Sequence, residues 1–272
     1  MIGQSVLVSR ILGQISRNKF PRFSILIGEK GSGRKLLAKE ISNMLNACHC
    51  YVDPNVDDIR TMIDESYKMF EPFVYIIPDC DNMSNAAANA LLKVTEEPPQ
   101  QAYFILTCES IDNLLSTIKS RGVTYMLAPY TYEDKCDYLH THKALSEEEE
   151  TFVLNVASNL GEVEELLRTD IPSFKDYVNL VVENIAEVTD SNSFKIANKI
   201  ALKDEKDKYD LRLFWRAFNT VCVDNMFGSD DPLKYANAVA ITGDALQELH
   251  IRGINKTMLI DKWILDIREA WL

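Results

Sequence analysis

The stretch Phe23-Ser-Ile-Leu-Ile-Gly-Glu-Lys-Gly-Ser-Gly-Arg-Lys35 runs from a short apolar segment into a glycine-rich loop, and apolar residues from Leu36 to Leu45 follow at helical spacing. That order reads as strand, tight loop and helix, the opening of an α/β unit. Beyond Asp53-Pro54, the residues Val56, Ile59, Ile63 and Tyr67 recur every three or four positions and predict an amphipathic helix ending before Glu71-Pro72. Phe73-Val-Tyr-Ile-Ile77 is a near-continuous apolar run, as a strand covered on both faces requires. Ser84 suits the N-cap of a helix from Asn85 to Glu97, which Pro98-Pro99 stops. With a third strand at Tyr103 to Thr107 and a helix expected from Ile111 to Lys119, strand and helix alternate from residue 20 to residue 121. Such alternation implies a parallel sheet with right-handed crossovers.

From Tyr130 onward only helical spacing is found: Tyr132 to Thr141, Glu147 to Asn159 and Val163 to Leu167. The acidic run Glu147 to Glu150 follows Ser146, and carboxylates in a capped first turn meet the positive end of the helix dipole, so the run reads as a helix start rather than an acidic docking site. A last helical block carries Leu211, Phe214, Phe218 and Val221 on one face and Leu259, Trp263, Ile267 and Trp271 on another. The expected division is residues 1–127 for the α/β domain, 128–190 for a small helical domain and 191–272 for a second all-α domain.

The 272 residues are 46% hydrophobic and 26% charged with 10 Gly and 9 Pro, the balance of a globular chain rather than a disordered or fibrous one. A net charge of −12 argues against an autonomous nucleic-acid binder, so any DNA contact is expected to be local or shared with partners. No run of about 18 apolar residues is present, and Met1-Ile2-Gly3-Gln4 lacks the basic-then-apolar order of a signal peptide; the expectation is a cytoplasmic protein with no membrane partner. Six scattered cysteines fit reduced thiols better than a disulfide framework.

Gly28 to Gly33 lies where backbone N–H groups and a helix N-terminus cradle phosphate. A working loop of this kind reads G-x-x-x-x-G-K-[ST], with Lys on the terminal phosphates and a hydroxyl on Mg²⁺. Those two positions hold Arg34 and Lys35. An Arg pairs with phosphate, but a cationic Lys35 repels Mg²⁺. Two readings stand: a degenerate nucleotide site built on Gly28, Gly31, Gly33, Arg34 and Lys35, or a glycine turn that merely packs strand to helix. At the end of the next strand Pro78 falls where a metal carboxylate belongs and Asp79 where a water-activating acid belongs. Asp79 and Asp81 are expected to pair with Lys35 or Arg34 instead. Cys48-His49-Cys50 has no second donor pair nearby, so no bound metal is expected. His140 and His142 have no nearby nucleophile or base and read as surface residues.

The run Asp79-Cys-Asp-Asn-Met-Ser-Asn-Ala-Ala-Ala-Asn-Ala-Leu-Leu-Lys-Val-Thr-Glu-Glu-Pro-Pro99 resembles the A-A-N-A-L-L-K-x-x-E-E-P-P run of clamp-loader AAA+ subunits, and is most similar to the delta-prime group of bacterial DNA polymerase III. Val56-Asp-Asp-Ile-Arg60, Thr107 at the position of sensor 1 and Ser120-Arg121-Gly122, similar to a Ser-Arg-Cys motif, extend the resemblance. It implies a RecA-like AAA+ domain over 1–127, a helical lid over 128–190 and a helical collar over 191–272 that assembles a five-membered ring. It adds Thr107 and Asp79 to the degenerate nucleotide-binding set and gives Arg121 the role of an arginine finger acting in trans on a neighbour's ATP. Glu164 stands where ATPase members carry the sensor 2 Arg. The implied function is that of a delta-prime-like subunit that does not itself hydrolyse ATP, with ATP and Mg²⁺ held by a partner. The implied partners are the other clamp-loader subunits, including an ATPase motor, a sliding clamp and primed DNA. The alternatives are an active AAA+ ATPase, gamma-type or otherwise DNA-processing, using Arg34 in a non-standard loop, and an adaptor that kept the scaffold without ring assembly.

Overall fold

The structure, a computed structural model, describes residues 1–188, 193, 210–249, 251 and 253–272. They form two compact units: Met1–Tyr138 together with Asn159–Gly161, and Leu139–Ser158 together with Glu162–Leu272. The division follows packing and has two parts where the sequence suggests three; the expected boundary between 190 and 191 lies outside the described residues.

The first unit holds a five-stranded parallel sheet of β1 (Phe23–Ile27), β2 (Cys48–Tyr51), β3 (Phe73–Ile77), β4 (Ala102–Cys108) and β5 (Val123–Met126), in the order β2-β3-β4-β1-β5. Five helices accompany it: α1 (Ser5–Ile15), α2 (Arg34–Met44), α3 (Val56–Ser66), α4 (Asn85–Glu96) and the short α5 (Ser116–Lys119). Successive strand residues point to opposite faces, so the sheet separates two cores. Phe23, Ile25, Ile27, Tyr75, Ile77, Phe104 and Leu106 pack with Ile59, Met62 and Ile63 of α3 and Ala87, Leu91 and Val94 of α4. On the other side Leu26, Val74, Ile76 and Ile105 pack with Ile11 of α1 and with Leu37 and Ile41 of α2. Both faces of β1 are therefore covered, and all of its residues are buried and apolar except Ser24, which is buried as well.

The two edge strands escape a reading by hydrophobic pattern. In β2, Cys-His-Cys-Tyr is polar and no residue of the strand is fully buried; in β5 only Tyr125 is. The helix expected from Ile111 to Lys119 is corrected to a 3₁₀ turn at Ile111–Asn113 and the four-residue α5. Leu114 and Leu115 between them are extended, and Leu114 is buried against the α3–α4 core, so tertiary burial outweighs helical spacing there.

Helix α6 (Tyr132–His142) is followed by α7 (Glu147–Val156), α8 (Leu160–Leu167), α9 (Ile171–Asn184), α10 (Leu211–Met226), α11 (Pro232–Glu248) and α12 (Lys256–Trp271). The second unit is helical, with no strand among its described residues. Phe214, Phe218 and Val221 of α10 are buried, as are Leu259, Trp263 and Ile267 of α12; the Phe218 and Trp263 rings meet edge to face at 4.9 Å. The Trp263 Nε1–H donates to Thr242 Oγ1 of α11 at 2.8 Å, which satisfies the one polar atom of a fully buried indole. Trp271 is only partly buried and donates to the Lys234 carbonyl. Among the described residues no helix is long and apolar enough to cross a membrane.

Candidate functional site

The site gathers at the carboxyl ends of β1, β3 and β4, where open parallel sheets bind ligands. Ile27 pairs with Cys108, and the Gly28 N–H extends that ladder by donating to the Cys108 carbonyl at 3.2 Å. The chain then turns through Gly31 at φ 90° and Gly33 at φ 86°, left-handed values that a Cβ disfavours. Gly33 is the N-cap of α2, so the first turn of that helix follows the loop directly.

The loop is braced through its carbonyls. Asn159 Nδ2 donates to the Lys30 carbonyl at 3.0 Å, the Gly161 N–H to the Gly31 carbonyl at 3.1 Å, and the Tyr130 hydroxyl to the Ser32 carbonyl at 2.9 Å. The approach is close enough that a Cβ on Gly31 would lie 2.1 Å from Asn159 Oδ1. Ser32 and Arg34 are both 6% exposed, and Ser32 Oγ and Arg34 Nη1 are buried without a hydrogen-bond partner.

Across the loop, Asp79 holds both cations. Its Oδ2 lies 2.7 Å from Lys35 Nζ and its Oδ1 3.4 Å from Arg34 Nη2, while Glu109 stands 4.0 Å from the same Arg34 nitrogen. Asp79 sits at φ 51°, and its N–H donates to the buried Thr107 Oγ1 at 3.1 Å. Thr107 thus fixes the backbone of the residue that neutralises the loop. The pairing expected of Asp81 is corrected: its carboxylate accepts from the Glu109 and Ser110 N–H groups and from Asn113 Nδ2, and so secures the turn after β4. Its partners are backbone N–H groups that the β4 exit would otherwise leave unpaired.

This donor set does not fit a Mg-nucleotide. Lys35 occupies the hydroxyl position and carries the wrong charge, Pro78 offers no ligand, and Asp79 is engaged by two cations. Neighbouring thiols add no nucleophile: burial pushes Cys108 up to about 12, and burial together with the nearby Cys108 pushes Cys80 higher still. At the Cys48-His49-Cys50 segment His49 Nδ1 lies 3.1 Å from Ser42 Oγ, and among the described residues no group of three or more His, Cys, Asp or Glu side chains is placed to hold a metal.

Arg121 lies two residues beyond α5. Its Nη1 donates to the Thr117 carbonyl at 3.0 Å and its Nη2 to Glu96 Oε1 at 2.8 Å, with a third of the side chain exposed. Glu164 of α8 pairs with Arg168 one turn later, and His140 Nε2 pairs with Glu150 at 2.8 Å. Glu96, Glu109, Tyr130 and Asn159 are the site residues that sequence reasoning did not single out. Glu96 stands inside the Glu-Glu-Pro-Pro run, where a signal existed; Tyr130 and Asn159 act on the loop from 98 and 129 residues away, and no local pattern announces that.

Residues 54–131 match the family model described as DNA polymerase III, delta subunit. The chain resembles a clamp-loader subunit of DNA polymerase III. It is 40% identical over 76 residues to the delta-prime subunit of Yersinia pestis, covering 27% of this chain and 22% of that one. The gamma subunit of Buchnera aphidicola (subsp. Schizaphis graminum) is 27% identical over 172 residues, 51% of this chain and 47% of its own length. The aligned part is thus less than half of either relative. Among solved structures, the gamma subunit-related protein of Thermotoga maritima covers 98% of this chain and 100% of its own at 18% identity with a TM-score of 0.52. The RuvB Holliday junction branch migration motor of the same organism covers 96% of this chain and 82% of its own at 13% identity with a TM-score of 0.53. These two share the fold: a parallel-sheet α/β domain followed by helices.

Proposed function

We propose that this chain is a delta-prime-like clamp-loader subunit that does not hydrolyse ATP itself and lends Arg121 to a neighbouring subunit's ATP during the loading of a sliding clamp onto primed DNA. The observation that carries the non-hydrolysing part is the Asp79 carboxylate bridging Arg34 and Lys35 across the glycine loop. A cation stands where Mg²⁺ needs a hydroxyl, and the nearest acid is spent on neutralising it. The relatedness to DNA polymerase III delta-prime and gamma subunits supports the clamp-loader part. An arginine suits the trans role because its guanidinium is always charged and presents a rigid fork of donors to phosphoryl oxygens. The partners this entails are the other clamp-loader subunits, an ATPase motor among them, with ATP and Mg²⁺ at the motor's own site; the compartment is the cytoplasm.

A second reading, an active AAA+ ATPase with a non-standard loop, draws on the unpartnered Arg34 Nη1 and Ser32 Oγ inside the loop. Measured Mg-ATP turnover separates the two. The purified chain alone is expected to be silent, and to stimulate a DNA polymerase III gamma-type ATPase from the same source; Arg121→Ala is expected to abolish that stimulation, since an arginine finger is worth roughly 10³–10⁵ in kcat where one has been isolated. Turnover by the lone chain that Arg34→Ala removes would establish the second reading instead.

A further inference from the structure

The guanidinium to which the proposed function gives the trans role is already occupied within its own chain. Arg121 Nη2 donates to Glu96 Oε1 at 2.8 Å and Nη1 to the Thr117 carbonyl at 3.0 Å, and the two contacts come from different helices, α4 and α5. Glu96 is the last residue of α4, so its carboxylate adds to the negative end of that helix, and the Thr117 carbonyl belongs to the open end of α5. Arg121 therefore donates to one carboxylate and one backbone carbonyl, both of which compete with a phosphate for the same N–H groups. An arginine finger acts through charge that is not already neutralised. A carboxylate in direct contact offsets part of that charge.

We infer that Glu96 is the resting partner of Arg121 and must release the guanidinium before it can reach a neighbouring subunit's nucleotide. The inference rests on the reading of Arg121 as a trans finger and adds its regulation. Both side chains are substantially exposed, 33% for Arg121 and 58% for Glu96. An exposed ion pair shifts an equilibrium by no more than roughly fivefold, whereas a nucleotide triphosphate offers several formal negative charges. The contact is thus weak enough for a neighbour's nucleotide to displace and strong enough to set how much of the free chain is ready to do so. Glu96 is a positioning residue in this scheme, since it touches the finger and not the substrate.

The test is ATP turnover by a gamma-type motor subunit titrated with this chain, comparing wild type, Glu96→Gln, Glu96→Asp and Arg121→Ala, each first shown by circular dichroism to be folded. Glu96→Gln is expected to lower the half-saturating concentration by roughly two- to fivefold with the ceiling rate unchanged. Glu96→Asp keeps the charge and is expected to behave as wild type. The advantage of Glu96→Gln should shrink as salt rises, because an exposed pair is screened, a dependence that loss of a purely structural contact would not show. A half-saturating concentration for Glu96→Gln equal to or above that of wild type overturns the inference while Arg121→Ala still abolishes stimulation. Undiminished stimulation by Arg121→Ala overturns the finger reading itself.

Discussion

Asp79 and Asp81 are two residues apart and carry the same group, yet they do different work. The Asp79 carboxylate is half exposed and pairs with Lys35 at 2.7 Å and with Arg34 at 3.4 Å. Water screens the Lys35 pairing, and Glu109 at 4.0 Å still faces the buried Arg34 once Asp79 is gone, so Asp79→Ala is expected to cost about 1 kcal/mol. Asp81 accepts from two backbone N–H groups, Glu109 at 2.8 and 2.9 Å and Ser110 at 3.1 Å, and from Asn113 Nδ2 at 3.1 Å. Asp81→Ala strands those donors at the exit of β4, and a loss of about 2–3 kcal/mol is expected in urea denaturation. The order of the two variants is the point of the measurement: a larger loss for Asp79→Ala would show that the loop pairing, and not the turn after β4, carries the stability.

At the scale of elements, capping is the part that local sequence specifies most directly. Ser84 accepts from the Ala87 N–H at the start of α4, and Ser146 with Glu149 forms a full capping box at the start of α7, the Ser146 N–H donating to Glu149 Oε2 at 2.9 Å and Ser146 Oγ accepting from the Glu149 N–H at 3.3 Å. The hydrogen bond from the Ser146 N–H, with that from its hydroxyl, holds the Glu149 carboxyl below its ordinary value. A group whose pKa falls on folding stabilises the fold at pH above its unfolded pKa, and that contribution is lost as pH falls through the folded one. Glu149→Gln is therefore expected to lower Tm at pH 7, with the gap to wild type closing once the pH drops below the ordinary carboxylate range. A gap that persists at acid pH would mean that the charge of Glu149 is not what the helix uses. Interior strands were as legible as the caps: β1 and β3 begin and end where their apolar runs do, because a strand covered on both faces is apolar at nearly every position, Ser24 of β1 being the exception. β2 and β5 were not, because an edge strand needs only one neighbour and tolerates Cys-His-Cys-Tyr or Val-Thr-Tyr-Met. The break at Leu114-Leu115 was hidden for the opposite reason: two leucines fit a helix by spacing and are drawn out of it by a core.

At the scale of the molecule, burial sorts the six cysteines, all of them thiols, into two classes. Cys80, Cys108 and Cys222 are fully buried, and burial pushes the Cys222 thiol up to about 12 as it does Cys108; Cys48 is exposed, and Cys50 and Cys136 are partly so. With a chromogenic disulfide reagent at pH 8 the native chain is expected to consume the three accessible thiols first, Cys48 fastest, and the other three only at the rate of unfolding. Rapid reaction of all six without denaturant would contradict the packing of both units. The amino-acid sequence by itself determined the strand, loop and helix around Gly28 to Gly33, the largely apolar interior strands, the helix caps and the departure of Arg34 and Lys35 from the G-x-x-x-x-G-K-[ST] pattern, because each of these is written in residues a few positions apart. Only the tertiary structure decided the strand order, the choice of Asp79 over Asp81 as partner of the loop cations, the bracing of the loop by Asn159 and the seat of Arg121 on Glu96. Those partners stand 45, 129 and 25 residues apart in the chain, and a hydrogen bond or ion pair over such separations is set by which elements the two cores bring together, a property of packing that no local pattern encodes.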